Sequence, residues 1–287
     1  MNENKALRNY FFILFSLIPI SLVAGPAIGS INIILISVSF LLYIFYYKDW
    51  KWLKNKNIRL LFILYFYLIF NSFISLDFNM GVNRNFGFIF FILFFAAFNY
   101  FYLKYQKFDR IFLVWFMIIT IIVLDIYLEV FTKLSISGYF LNILNTHVLE
   151  VAVSSSLKAS YTERVFSFFI DEAKVGGFIG CFFLILTGYF LDIRQFRLKK
   201  WKYLILIISI IFLLSILLTG ERSSTIRALI AFSIFFTISQ SFSIKEKIVS
   251  LALVIIVFGI AYSNLHFIKY RYSQMLFERL DTIKHTI

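Results

Sequence analysis

The sequence predicts an all-α fold: a polytopic transmembrane helix bundle of about nine spans, amino terminus cytoplasmic, carboxyl end outside. Three observations predict it. Hydrophobic residues make up 61% of the 287 and aromatic ones 21%, with only two prolines, which is more apolar side chain than one soluble core can hide. The apolar runs are continuous over roughly 20 residues, the length of a membrane helix, whereas a membrane barrel needs short segments of alternating polarity. Lys and Arg also gather in alternate loops: 17 of the 28 fall in the loops assigned to the inside, as the charge rule for membrane topology requires. The formal charge of +13 then reflects topology rather than a nucleic-acid partner.

Each element follows in order. Lys5 and Arg8 precede a first span from Tyr10 to Ala24, kinked by Pro19, and Gly25-Pro26 turns the chain into a second span, Ala27 to Tyr47. No small-x-small cleavage site ends the first run, so it reads as a retained helix rather than a signal peptide. The loop KDWKWLKNKNIR, Lys48 to Arg59, carries five basic residues and two Trp, the composition of a cytoplasmic loop with an interfacial belt. Leu60 to Leu76 is the third span, Asp77 to Asn85 a short outer loop with Arg84, and Phe86 to Leu103 the fourth span. Lys104, Lys107 and Arg110 mark the next inner loop.

Ile111 to Phe131 is the fifth span, and its Asp125 and Glu129 share one helix face because they lie four residues apart. Carboxylates at that depth are expected to face the bundle, near an outer arginine, rather than lipid. Residues 132–163 form an outer loop whose GYFLNIL patch suits a helix lying along the surface. The sixth span begins near Val165 or, more conservatively, Val175, and ends at Leu191. The inner loop RQFRLKKWK follows, then the seventh span Tyr203 to Thr219, a tight turn Gly220 to Ser224, and the eighth span Thr225 to Phe242. Lys245 and Lys247 lead into the ninth, Val249 to Ser263. The whole of 1–287 reads as a single transmembrane domain, and 264–287, polar and basic, reads as the start of a truncated outer segment.

The outer cations stand close to span ends: Arg84, Arg164, Lys174, Arg222, Arg227, Lys269, Arg271, Arg279 and Lys284. Such a ring suits an anion anchored in the membrane, such as a lipid-linked phosphate or pyrophosphate, because a guanidinium fork binds two oxygens at once. Anchoring by ordinary phospholipid headgroups is the plainer reading of the same charges. Arg164 and Arg222 are singled out because each stands beside an acid, Glu163 and Glu221, which can hold the guanidinium until an anion arrives. Asp171, Glu172 and Arg227 complete the supporting set.

Other chemistries find no support. There is no HExxH, CxxC, phosphate-binding glycine loop or DxD motif, so metalloprotease, redox, nucleotide-hydrolysing and metal-dependent glycosyltransferase readings fail, and neither metal nor cofactor is expected. His147, His266 and His285 are scattered without ligand spacing, and the lone Cys181 can form no intrachain disulfide. The pair Gly176-x-x-x-Gly180 reads as close helix packing.

RVFSFFIDEAKVGGFIG and TGERSSTIRALIAF resemble two stretches of the bacterial O-antigen ligase and O-antigen polymerase family, and LIPISLVAGPAIGS is similar to that family's opening. The resemblance covers about Leu14 to Arg279. It implies a multi-pass inner-membrane protein with its outer loops in the periplasm. Its activity would be that of a metal-independent inverting glycosyltransferase, moving a glycan from an undecaprenyl-pyrophosphate carrier to a glycan or lipid A-core acceptor. By the same resemblance Arg164, Arg222 and Arg84 bind the pyrophosphate. The family's large periplasmic loop with its catalytic His has no counterpart, so no general base is assigned. A lipid-linked oligosaccharide flippase or other transporter stays open as a second class, and a non-catalytic assembly partner as a third.

Overall fold

The computed structural model describes residues 5–75, 78–133, 135–136, 165–169, 174–192, 199–265, 268–270 and 272–273, and every regular element among them is helical. The helices are α1 Lys5–Ser16, α2 Ile18–Val23, α3 Pro26–Tyr47, α4 Lys56–Ile74, α5 Phe78–Phe86, α6 Phe88–Lys104, α7 Arg110–Thr132, α8 Val175–Asp192, α9 Lys199–Leu218, α10 Arg222–Ile238 and α11 Ile244–Asn264, with 3-10 turns at Lys51–Lys54 and Gln106–Asp109. Three of them, α3, α4 and α7, are long and apolar enough to cross a membrane, and shorter apolar helices occupy Phe88–Lys104, Val175–Leu191 and Lys202–Leu218. Large side chains such as Ile31, Leu42, Phe66 and Ile255 are more than 60% exposed. A soluble monomer does not display so much apolar surface, but a lipid-facing one does.

Contacts group the chain into two compact units, Met1–Trp115 and Phe116–Ile287. In the first, α3 packs on α6 and on α2, and α4 packs on α5 and α6. Its core is aromatic: Phe11, Phe15, Phe40, Phe101 and Phe108 are fully buried, with the Phe11 and Phe101 rings 4.2 Å apart.

The kink expected at Pro19 is present as the break between α1 and α2, and it has a partner far along the chain. Proline has no N–H to give the carbonyl four residues back, which is that of Phe15. Trp115 Nε1 donates to this carbonyl instead, at 2.9 Å. Asn32 Nδ2 likewise donates to the Leu14 carbonyl at 3.3 Å and to Ser21 Oγ at 3.1 Å. Gly25, at φ 134°, makes the turn, and Pro26 at the first position of α3 gives up an N–H the helix would not have used.

The short outer loop expected at Asp77 to Asn85 is largely a helix, α5, laid against α4, with Asn85 Nδ2 donating to the Leu68 carbonyl and to Ser72 Oγ.

In the second unit α8, α9 and α10 pack against one another and α11 against α9 and α10. Phe183, Phe232 and Phe236 are fully buried there, and Thr187 Oγ1 meets Ser209 Oγ at 3.2 Å between α8 and α9. Helix α8, where the sixth span is expected, begins at Val175, the later of the two expected starts, and residues 165–169 are not helical. At the other end, α11 opens with a capping box between Ser243 and Glu246, and Glu246 also pairs with Lys202 at 2.6 Å.

Candidate functional site

The two stretches that stood out in the sequence meet in the second unit. Helix α9 ends at Leu218, and Gly220, with φ 72°, reverses the chain so that Glu221 precedes α10. The turn is tighter than expected: Arg222 is already the first residue of the helix. Val165 N donates to the Thr219 carbonyl at 3.4 Å, so the residue following Arg164 lies against the turn preceding Arg222. Arg164 itself, with Glu163, Asp171, Glu172, His147, His266, His285 and the GYFLNIL patch, lies outside the described residues. Arg84 is in α5, and its side chain is outside them as well.

Glu221 does not hold Arg222, contrary to expectation. Its carboxylate reaches across to the start of α8, accepting from Gly176 N at 2.7 Å, Gly177 N at 3.1 Å and Ser224 Oγ at 2.7 Å. The physical reason is the start of α8 itself. Its first N–H groups have no partner within the helix and carry partial positive charge, so a carboxylate placed there satisfies two donors and the helix dipole together. Gly176 permits the approach, since a Cβ there would stand 2.6 Å from Thr219 Oγ1 and 3.2 Å from the Glu221 carboxyl carbon. Gly180 has nothing within 4 Å of such a Cβ, so the close packing expected of the pair is confined to the Gly176 end.

Arg222 is half-buried, and its Nε is buried with no hydrogen-bond partner among the described residues. Arg227, exposed, donates from Nε to the Ser223 carbonyl at 3.2 Å and from a terminal nitrogen to Ser224 Oγ at 3.3 Å. Ser224 thus relays Arg227 to Glu221. Thr225 Oγ1 donates to the Glu221 carbonyl at 3.0 Å and accepts from Tyr272 OH at 2.8 Å, tying the later chain to the same turn. The outcome is a polar knot at the meeting of α8, α9 and α10 in which, among the described residues, one anion is used internally and the Arg222 Nε is not.

Asp125 and Glu129 face the interior, as expected: they are 0% and 7% exposed. What they hold is mostly backbone. Glu129 accepts from Phe166 N at 3.1 Å and Ser167 N at 2.6 Å, while Asp125 accepts from Ser167 Oγ at 2.5 Å and Ile136 N at 2.6 Å. Ser167 is in the left-handed region, φ 51°, costly for a residue with a side chain and kept only where its surroundings over-determine it. Two carboxylates on one helix face supply that. Sequence reasoning finds the pair but not the clamp, because three of its four donors are main-chain groups that no residue letter announces. Ser167 and Ser224 carry no sequence signal of their own, since a serine hydroxyl finds its carboxylate only in the packed fold.

Among the described residues no group of three His, Cys, Asp or Glu could hold a metal ion. Chemically the arrangement offers guanidinium groups at the start of α10, over a turn stiffened by hydrogen bonds, to an anion. The chain matches no protein-family model, no curated protein and no solved structure.

Proposed function

We propose that this chain is an O-antigen ligase- or polymerase-like glycan transferase of the bacterial inner membrane, with about nine spans and a cytoplasmic amino terminus. Its donor is a glycan on undecaprenyl pyrophosphate and its acceptor another glycan or lipid A-core. Arg222 binds the pyrophosphate, with Arg227 beside it and Arg164 and Arg84 as further cations. One observation supports this reading above the others: Glu221 spends its charge on the start of α8, and the neighbouring Arg222 has a buried Nε without a hydrogen-bond partner among the described residues. A partly desolvated guanidinium with no anion beside it among the described residues favours one from outside. Once bound, pyrophosphate becomes a good leaving group as its developing charge is stabilised, which arginines can do where other enzymes use a metal.

The test is binding of undecaprenyl pyrophosphate to the purified protein, alongside glycan transfer in cells. Arg222→Lys keeps the charge but loses the fork, and we expect at least tenfold weaker binding at unchanged protein level. Equal binding by wild type and Arg222→Lys removes the site. For the topology, cysteine labelling at Ser155 from outside and at Lys199 from inside is expected; the reverse pattern inverts the model.

A further inference from the structure

A second site lies in the first unit. Helices α4 and α6 leave between them a groove of about 530 Å³ lined by Leu60, Leu61 and Leu64 on one side and Phe88, Phe91 and Phe95 on the other, with Ile92 as floor and Asn57 at one end. Positions 57, 60, 61 and 64 form one face of α4, and 88, 91, 92 and 95 one face of α6, so each wall is a straight apolar stripe. The volume is within the range of small-ligand sites. Ile92 is 1% exposed whereas Leu60, Leu64, Phe91 and Phe95 are 39–54% exposed: the floor is closed and the walls are open along their length. That is the shape of a channel for a chain lying along the surface.

The polar end has a sign. Asn57 is flanked by Lys54, Lys56 and Arg59, all exposed, and no acid occurs between residues 50 and 76. The nearest carboxylate in sequence, Asp49, is already engaged: it accepts from Tyr100 OH at 2.7 Å and from Lys51 N at 3.2 Å. Arg59 gives its Nε to the Leu53 carbonyl at 2.9 Å, which fixes the guanidinium beside the first turn of α4, and its other N–H groups make no hydrogen bond among the described residues.

We propose that this groove binds one acyl chain of an anionic glycerophospholipid, whose headgroup phosphate is held by Lys54, Lys56 and Arg59. An apolar channel selects a hydrocarbon chain, and three exposed cations next to Asn57 in the chain, with no acid between residues 50 and 76, select the negative headgroup. Each basic residue near such a headgroup contributes on the order of a five-fold preference.

Native mass spectrometry of the full chain, exchanged into micelles containing equal phosphatidylglycerol and phosphatidylcholine, reads the outcome directly. Wild type is expected to retain one phosphatidylglycerol in clear preference to phosphatidylcholine. The triple variant Lys54→Gln, Lys56→Gln, Arg59→Gln should still retain a lipid but lose the preference. Leu64→Trp, which fills the channel from an exposed position and leaves the core alone, should retain neither; Phe91→Trp, on the opposite wall, should do the same and serves if the first variant misfolds. Retention of the two lipids in equal amounts by wild type, or undiminished retention by the channel-filling variants, overturns the proposal. A preference that survives the triple variant places the headgroup elsewhere and overturns it as well.

Discussion

Gly176→Ala and Gly180→Ala are expected to move stability in opposite directions, although the two glycines look alike in sequence. At Gly176 a new Cβ would lie 2.6 Å from Thr219 Oγ1, about 0.8 Å inside the 3.4 Å at which ordinary contact begins. The hydroxyl cannot swing away cheaply, because Thr219 is fully buried and its Oγ1 donates to the Ile216 carbonyl at 2.7 Å while accepting from Glu221 N at 3.3 Å. The Glu221 carboxyl, 3.2 Å from the same point, would have to loosen its hold on α8. Overpacking of this kind costs about 1–3 kcal/mol, against which a better helix former returns at most about 1 kcal/mol, leaving a net loss of up to about 2 kcal/mol. At Gly180 only the helix-propensity gain remains, about 0.5–1 kcal/mol of stabilisation. Unfolding of the purified protein in detergent, followed by circular dichroism, measures both. Adding Thr219→Ala completes a cycle that should show a coupling of about 0.5–3 kcal/mol with Gly176→Ala, as contacting residues do. Shifts equal in sign and size for the two glycines, or no coupling, would refute the reasoning.

Trp115→Phe should cost about 1–3 kcal/mol by orphaning the Phe15 carbonyl, and much less when combined with Pro19→Ala, which restores a backbone N–H at position 19; the same unfolding assay decides. Glu129→Ala leaves Phe166 N and Ser167 N without their acceptor and should lose about 1–3 kcal/mol for the buried one, whereas Glu129→Gln, which keeps an oxygen, should lose less; equal losses would show that the clamp does not depend on these bonds. At the start of α11 the Lys202 ammonium first, then Tyr203 OH and Ser243 N, hold the Glu246 carboxyl down at about 2. The stabilisation from this group is present above its ordinary value of 4.5 and is lost as pH falls from there through about 2. Carboxyl-carbon NMR of labelled glutamate should show the depressed midpoint, Lys202→Gln should raise it, and a wild-type midpoint at 4.5 would contradict the pairing.

The letters alone determined that the described elements are helical and about where most of those helices begin and end, and they drew attention to the two stretches that meet at the candidate site. They could do so because continuous apolar runs, Gly-Pro punctuation and basic loops are local signals. The interior orientation of Asp125 and Glu129 was legible too, since burying one face of a helix leaves a carboxylate few other places to go. Tertiary structure decided what each polar group touches. Glu221 and Arg222 are neighbours in sequence and would pair on charge alone, but the unpaired N–H groups at the start of α8 come closer to the carboxylate and outbid the guanidinium. Pro19 announced a kink, but not that Trp115, 96 positions later, would satisfy the carbonyl it frees. Two glycines spaced for helix packing proved unequal because only one of them faces the turn. In each case the deciding partner is a main-chain group or a distant side chain, and such encounters exist only once the helices have packed.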